Sequence, residues 1–345
     1  MDIATFCRQS RVLVVAGKGG VGKTTVTAAL ARMAAHAGLD VLVVELEGKP
    51  GVTAAFGGSG PLGYDQSPLA GHDGPGPGGP PDPSGSGDGT IHARRITPDD
   101  ALLEYLADHG MGRISKRLVS SGALDVVATA IPGIRDILVL GKIKQLEREA
   151  DADLILVDAP ATGHAMTFLS SAQGLLDAAR SGPVRAQAAD VVELLTDPRR
   201  CQVALVTLPE EMPVNEVIEA AYQLEDKVGL TLGPVIVNAC LPDEPWLTED
   251  PAAAAREVGV TLTDEQVAGL AAAARFRTSR FRLQQDQRRR LAEELPLDQL
   301  QAPFVFSDVM GPQEIERIAD ALADAVERYG AEQPAAAPDP RRTLR

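Results

Sequence analysis

Nine residues, Gly17-Lys18-Gly19-Gly20-Val21-Gly22-Lys23-Thr24-Thr25, constrain this chain more than any other stretch. They satisfy the phosphate-binding pattern G-x-x-x-x-G-K-[ST] at each fixed position. An apolar run, Val12 to Val15, precedes them and an Ala-rich helical run follows, so the loop falls on a strand-to-helix turn. Glycines there let the backbone curl until successive amide N–H groups face phosphate oxygens, and the following helix adds the positive end of its dipole. Lys23 then meets the β- and γ-phosphates, and Thr24 ligates magnesium. A chance glycine-rich turn would not require strand, motif and helix to coincide.

The 345 residues suit one large α/β domain with a subdomain, or two domains, and 44% apolar residues supply a sizeable core. A formal charge of −15 disfavours nonspecific nucleic-acid binding. The one basic stretch, Arg275 to Arg290, reads as a solvated helix face. Cys7, Cys201 and Cys240 lie far apart without a C-x-x-C pair, so no zinc or iron–sulfur cluster is expected. No signal-peptide pattern or long apolar run occurs, which predicts a cytoplasmic protein with reduced thiols.

Apolar strands are expected at Arg11–Ala16, Val41–Glu45, Ile91–Ile96, Leu154–Val157, Gln202–Thr207, Pro234–Val237 and Pro303–Phe306, with helical stretches between them. That alternation predicts a mostly parallel sheet covered by helices on both faces, with ligands at the carboxyl ends of its strands. Residues 57–89 are dominated by Gly, Pro, Ser and Asp, and are expected to be a disordered insertion. Thr97-Pro98-Asp99-Asp100 is a helix start, and helical pattern continues to Ala150. Its apolar face of Ile134, Ile137, Leu138 and Ile143 is either core or a client-binding surface. The helix Pro312–Tyr329 follows the last strand, and a Pro/Ala tail, 331–345, is expected to be disordered. This organisation gives a single domain over 1–330, with a helical subdomain at about 98–150 and 262–295.

Asp158 closes an apolar strand and leads Asp158-Ala159-Pro160-Ala161-Thr162-Gly163-His164. An acid in that position can hold magnesium, usually through water, and the segment behind it can move with the γ-phosphate. Lys18, directly after the first glycine, resembles the "signature lysine" of one class of P-loop NTPases. In that class the lysine reaches across a dimer interface to the partner's nucleotide.

Further motifs narrow the resemblance to the ArsA-like anion-transporting ATPases, which include the arsenite-pump and tail-anchored-protein targeting ATPases. Residues 158–164 resemble that family's D-[TA]-x-P-T-G-H switch II, with Ala161 replacing its proline. Val203 to Glu216 resembles its V-T-x-P-E-x-x-P-V-x-E segment. Val235-Ile236-Val237-Asn238 is similar to the strand whose terminal Asn reads adenine, and Pro303 to Gly311 to the loop beside the base. The resemblance implies a P-loop NTPase fold and an ATP- and magnesium-dependent ATPase. It assigns Lys18, Lys23, Glu47 and Asp158 to catalysis, residues 17–25 and Asn238 to the nucleotide, and Thr24 and Asp158 to the metal.

Two departures stand out. The family's switch I D-P-A-H-N becomes Glu47-Gly48-Lys49-Pro50-Gly51, so the carboxylate that orients the attacking water gains a methylene. Glu45 competes for that role but is expected to lie within the strand. The zinc C-x-x-C of the eukaryotic targeting members is absent, as is a cysteine cluster able to hold arsenite. The expectation is a dimeric ATP switch, as a homodimer or with a paralogous ATPase, that handles a client protein, membrane partner or transported anion. A nucleotide-gated scaffold with little hydrolysis and the energising subunit of a metalloid exporter are the alternatives. A MinD-like positioning factor is disfavoured, because the last helix pairs an apolar side with an acidic remainder.

Overall fold

The phosphate motif forms the expected strand, loop and helix, as β1 (Val12–Gly17) and α2 (Lys23–His36). The computed structural model describes residues 1–46, 51–69, 87–108 and 133–332. A short helix, α1 (Ile3–Cys7), precedes β1. After α2 come β2 (Val41–Glu45), α3 (Gly51–Ala55), β3 (Ser67–Pro68), β4 (Ile91–Arg95), α4 (Pro98–Asp108), α5 (Ile134–Glu149) and β5 (Leu154–Ala161). The chain continues through α6 (Thr162–Ala178), α7 (Pro183–Thr196), β6 (Cys201–Thr207), α8 (Glu211–Val228) and β7 (Val235–Cys240). A 3-10 turn (Pro245–Thr248), α9 (Pro251–Glu257), α10 (Asp264–Glu294), β8 (Gln299–Pro303) and α11 (Pro312–Glu332) complete the described elements.

Among the described residues the strands form one sheet in the order β3-β4-β2-β5-β1-β6-β7-β8, parallel except for β3. The central strands are continuous apolar runs, as burial on both faces requires: Val41 to Val44 and Leu154 to Val157 are all buried. Leu30 and Met33 of α2 pack on one face with Ile315, Ile318, Leu322 and Val326 of α11, as the apolar side of that last helix implies. The other face carries α5 to α8 through Leu140, Ile143, Leu169, Leu194 and Leu224. Each such side chain contributes about 1.5–3 kcal/mol by leaving water. Ile137, Leu138 and Ile143 are buried in this layer and Ile134 is half-buried against it, so most of the apolar face of α5 is core.

Three boundaries differ from the sequence reading. The last strand is Gln299–Pro303 rather than Pro303–Phe306: Leu300 and Ala302 alternate inward between exposed or half-buried glutamines, whereas the aromatic run beyond them is loop. β5 runs on to Ala161, and Asn238 lies inside β7 with Ala239 in the left-handed region. The ordered chain also extends into the Gly/Pro-rich insertion. Leu62 and Leu69 are buried, and Ser67-Pro68 pairs antiparallel with β4, because this stretch keeps a few large apolar residues. Its remainder, 70–86, lies outside the described residues, as do Glu47, 109–132 of the helical segment and 333–345 of the tail.

Helix α10 is placed by one buried side chain. Gln284 accepts from the Leu241 N–H at 2.8 Å and donates to the Ala239 carbonyl at 3.2 Å, which sets it level with the carboxyl end of β7. Leu291 anchors the following turn in the core, and the chain then returns to start β8 beside Val235. Residues 264–283, the part of α10 that precedes Gln284, are all exposed or half-buried, about 30 Å of helix at 1.5 Å per residue. Among the described residues no helix is long and apolar enough to cross a membrane.

Candidate functional site

Strand β1 lies between β5 and β6, so its loop leaves the middle of the carboxyl edge. Gly17 sits so close to β6 that a Cβ there would lie 2.3 Å from the Val206 carbonyl oxygen. Gly22, the N-cap of α2, has φ 89°, and a Cβ on it would lie 2.3 Å from Asn238 Nδ2. Asn238 itself donates to the Val21 carbonyl at 2.9 Å, bracing the loop from β7. The Val21 side chain is buried beneath the loop, while Gly19 and Gly20 line a cavity of about 300 Å³. Lys23 Nζ donates to the Lys18 carbonyl at 3.2 Å, which keeps the ammonium at the loop mouth. Thr25 follows on the first turn of α2.

The acidic wall of the same cavity comes from β2 and β5. Asp158 Oδ2 accepts from Thr24 Oγ1 at 2.7 Å. Beside it, Cα-paired across the two parallel strands, stands Glu45, the last residue of β2. Glu45 is 3% exposed, lines the cavity, and among the described residues neither of its carboxylate oxygens has a hydrogen-bond partner. Burial pushes its carboxyl up to about 7, helped by the Asp158 charge and opposed by Arg95 and the nearby Val52 amide. The sequence offered Glu45 as a competitor for the water-orienting role and placed it in the strand; it does end the strand, and its side chain also lines the cavity. The signal was available, since an acid closing an apolar strand is the feature that singled out Asp158.

Lys18 is turned away from the cavity. Its ammonium pairs with Glu216 of α8, a half-exposed contact that the motif around Glu216 did not predict. The start of α8 is tied in turn to α10, through Glu210 to Arg280 at 2.7 Å and Asn215 to Arg290 at 2.5 Å. Thr162-Gly163-His164 form the first turn of α6, directly behind β5. The structure thus gathers residues 17–25, Asp158 and Asn238 at one edge, adds Glu45, and leaves Glu47 outside the described residues.

A sheet of this order with a phosphate loop on its central strand defines a class, and comparison with known proteins agrees. Residues 12–331 match the CobQ/CobB/MinD/ParA nucleotide binding domain, and the chain belongs to that family. Within it the chain is one of the ArsA-like P-loop ATPases. It is 37% identical to ATPase BagA of Mycobacterium tuberculosis over 239 residues, 67% of this chain and 66% of that protein. The arsenical pump-driving ATPase of Escherichia coli is 26% identical over 232 residues, 67% of this chain and 35% of that protein. ATPase GET3 of Podospora anserina is 26% identical over 163 residues, 47% and 43% of the two chains. The chain spans just under two thirds of the first of these relatives and less than half of the other two.

Proposed function

We propose that this protein binds ATP with magnesium at the carboxyl edge of its sheet, hydrolyses it, and uses the cycle to close and open a dimer. The observation that carries the reading is the pairing of Thr24 with Asp158 at 2.7 Å, in one cavity with Lys23 and the phosphate-loop glycines. A hydroxyl and carboxylates are the hard oxygen donors that magnesium takes. Glu45 fits the same set, because a buried carboxylate with no hydrogen-bond partner among the described residues is stabilised by a nearby cation. Magnesium bound with the nucleotide supplies positive charge against the charge that develops on the β- and γ-oxygens.

The chain's own residues do the rest. The amides of residues 17–22 and Lys23 hold the phosphates, and Thr24, Asp158 and Glu45 hold the metal and its waters. Asn238 keeps the loop in shape through Nδ2 and offers Oδ1 to the adenine amino group. Glu47 orients the attacking water, and Lys18 leaves Glu216 to contact the partner's phosphates. The output is the handling of a client protein, a membrane partner or a transported anion. Metalloid binding is the less supported choice: Cys7, Cys201 and Cys240 are buried, and burial pushes their thiols to about 12, 12 and 11, away from the thiolate that soft metalloids need.

Phosphate release by the purified chain, with ATP and magnesium or with ATP and a chelator, tests the reading. Turnover should require the metal and be lost in Lys23→Ala and Asp158→Asn. An absence of ATP binding, or turnover indifferent to both substitutions, overturns it.

A further inference from the structure

The arm of α10 beyond Gln284 takes no part in the nucleotide site, yet its outer side is not built for water alone. Gly269, Ala272, Phe276, Ser279 and Leu283 recur there at alternating three- and four-residue spacing, the seam of a helix that packs on another helix. Phe276 is 70% exposed and Leu283 42% exposed, with Val258 and Val260 of the preceding turn also bare. A row of that kind on a lone chain marks a contact surface.

Charge says what the surface fits. The stretch that leads into the arm and its first turn, 243–265, carries seven acidic residues against the single base Arg256, whereas 275–290 carries seven arginines against the single acid Asp286. Part of this charge is neutralised within the chain, as in Arg277–Glu244 at 2.9 Å and Arg280–Glu210 at 2.7 Å. Arg275 and Arg282, which flank Phe276 and Leu283 two turns apart, make no ion pair among the described residues, and neither do Glu257 and Glu265. One chain therefore presents both halves of a complementary pair, on the arm and on the short helix that leads into it. A surface complementary to itself is what a two-fold contact between identical chains uses.

We propose that this arm is a docking surface for a second copy of the chain. The two arms pack antiparallel, and the Arg275/Arg282 shaft of each meets the Glu257/Glu265 end of the other. The inference deepens the dimer reading and rests on it. α10 is fastened to α8 beside the Lys18–Glu216 contact, so a partner reaching Lys18 arrives next to the base of the arm.

The test is a charge swap on the full chain, with self-association measured by sedimentation in magnesium and a non-hydrolysable ATP analogue. Arg275→Glu/Arg282→Glu and Glu257→Arg/Glu265→Arg should each weaken self-association by about tenfold or more. An equimolar mixture of the two variants should associate to within about threefold of the wild type, a rescue that misfolded chains could not give. Unchanged circular dichroism and ATP binding by each variant check the fold independently. Wild-type-like association of either variant, or a mixture without rescue, overturns the arm proposal. Loss of association in Lys18→Ala alongside intact arm variants keeps the ATP-closed dimer and removes the arm from it. The reverse pattern keeps the arm and removes the trans lysine. If only the arginine reversal has an effect, the arm receives an acidic partner other than a second copy, and the proposal fails.

Discussion

The carboxyl edge of the sheet and the arm of α10 stand close together but are specified in opposite ways. At the edge, a Cβ on Gly17 or Gly22 would lie 2.3 Å from a neighbouring atom, and the carboxylates of Glu45 and Asp158 are buried. Along the arm the side chains are bare, only Gln284 and Leu291 of thirty-one helix residues are buried, and the charge is plentiful. The edge is determined by contact geometry, where a single atom is felt. The arm is determined by pattern and composition, where many residues can be exchanged at little cost to the fold. The comparison predicts that substitutions at the edge cost activity or stability, whereas those on the arm change association alone.

The largest effect should come from Lys23→Ala. In the proposed reaction the Lys23 ammonium faces the transferred phosphate, so its loss should lower kcat by about 10²–10³-fold, measured by phosphate release. Turnover within tenfold of the wild type would place the catalytic charge elsewhere. Gly22→Ala should come next, because it must adopt φ near 89° and displace Asn238. A loss of roughly 1–3 kcal/mol is expected in denaturant unfolding, with weaker nucleotide binding alongside.

Glu45 gives a test in pH. Its folded pKa, about 7, lies above the ordinary value of 4.5, so the folded chain holds this proton more tightly than the unfolded chain does. The stability it contributes is full below about pH 4.5 and is lost as the pH rises through about 7. Unfolding of the nucleotide-free protein at pH 5 and pH 8 should show a slope that Glu45→Gln removes. The variant should be the more stable protein at pH 8, on the order of 2 kcal/mol. An unchanged slope would mean that Glu45 is solvated and outside the site.

Smaller effects sharpen the other half of the comparison. Glu216→Gln breaks only a half-exposed ion pair, so the protomer should lose no more than about 1 kcal/mol. It should also ease ATP-dependent association by releasing Lys18. Phe276→Ser should change protomer stability by less than about 0.5 kcal/mol while weakening the dimer, since its ring touches mostly water in the single chain. A clear loss of stability in that variant would show that the arm is packed against its own chain.

Much of this was legible in the residues. The strand, loop and helix around residues 12–36 fell where the motif and its apolar flanks put them, because both elements are set by short-range patterns. β8 was misread, because its strand alternates leucine and alanine with glutamine, while the exposed Phe304 and Phe306 beside it mimic a buried run. Glu45 falls in the strand as expected, but its place in the cavity was legible only as an alternative. Burial at the end of a strand depends on which neighbours close over it, here β5 and the phosphate loop, and neither is near in sequence.

By itself the sequence determined the phosphate loop, the α/β layering and the ArsA-like kinship, since each rests on local spacing that survives without knowledge of contacts. Tertiary structure decided where the charged groups stand. It set Glu45 beside Asp158, turned Lys18 onto Glu216, and left residues 264–283 exposed or half-buried. Whether a carboxylate is solvated, paired or poised depends on distances between strands and helices far apart along the chain, and those are fixed only when the layers close.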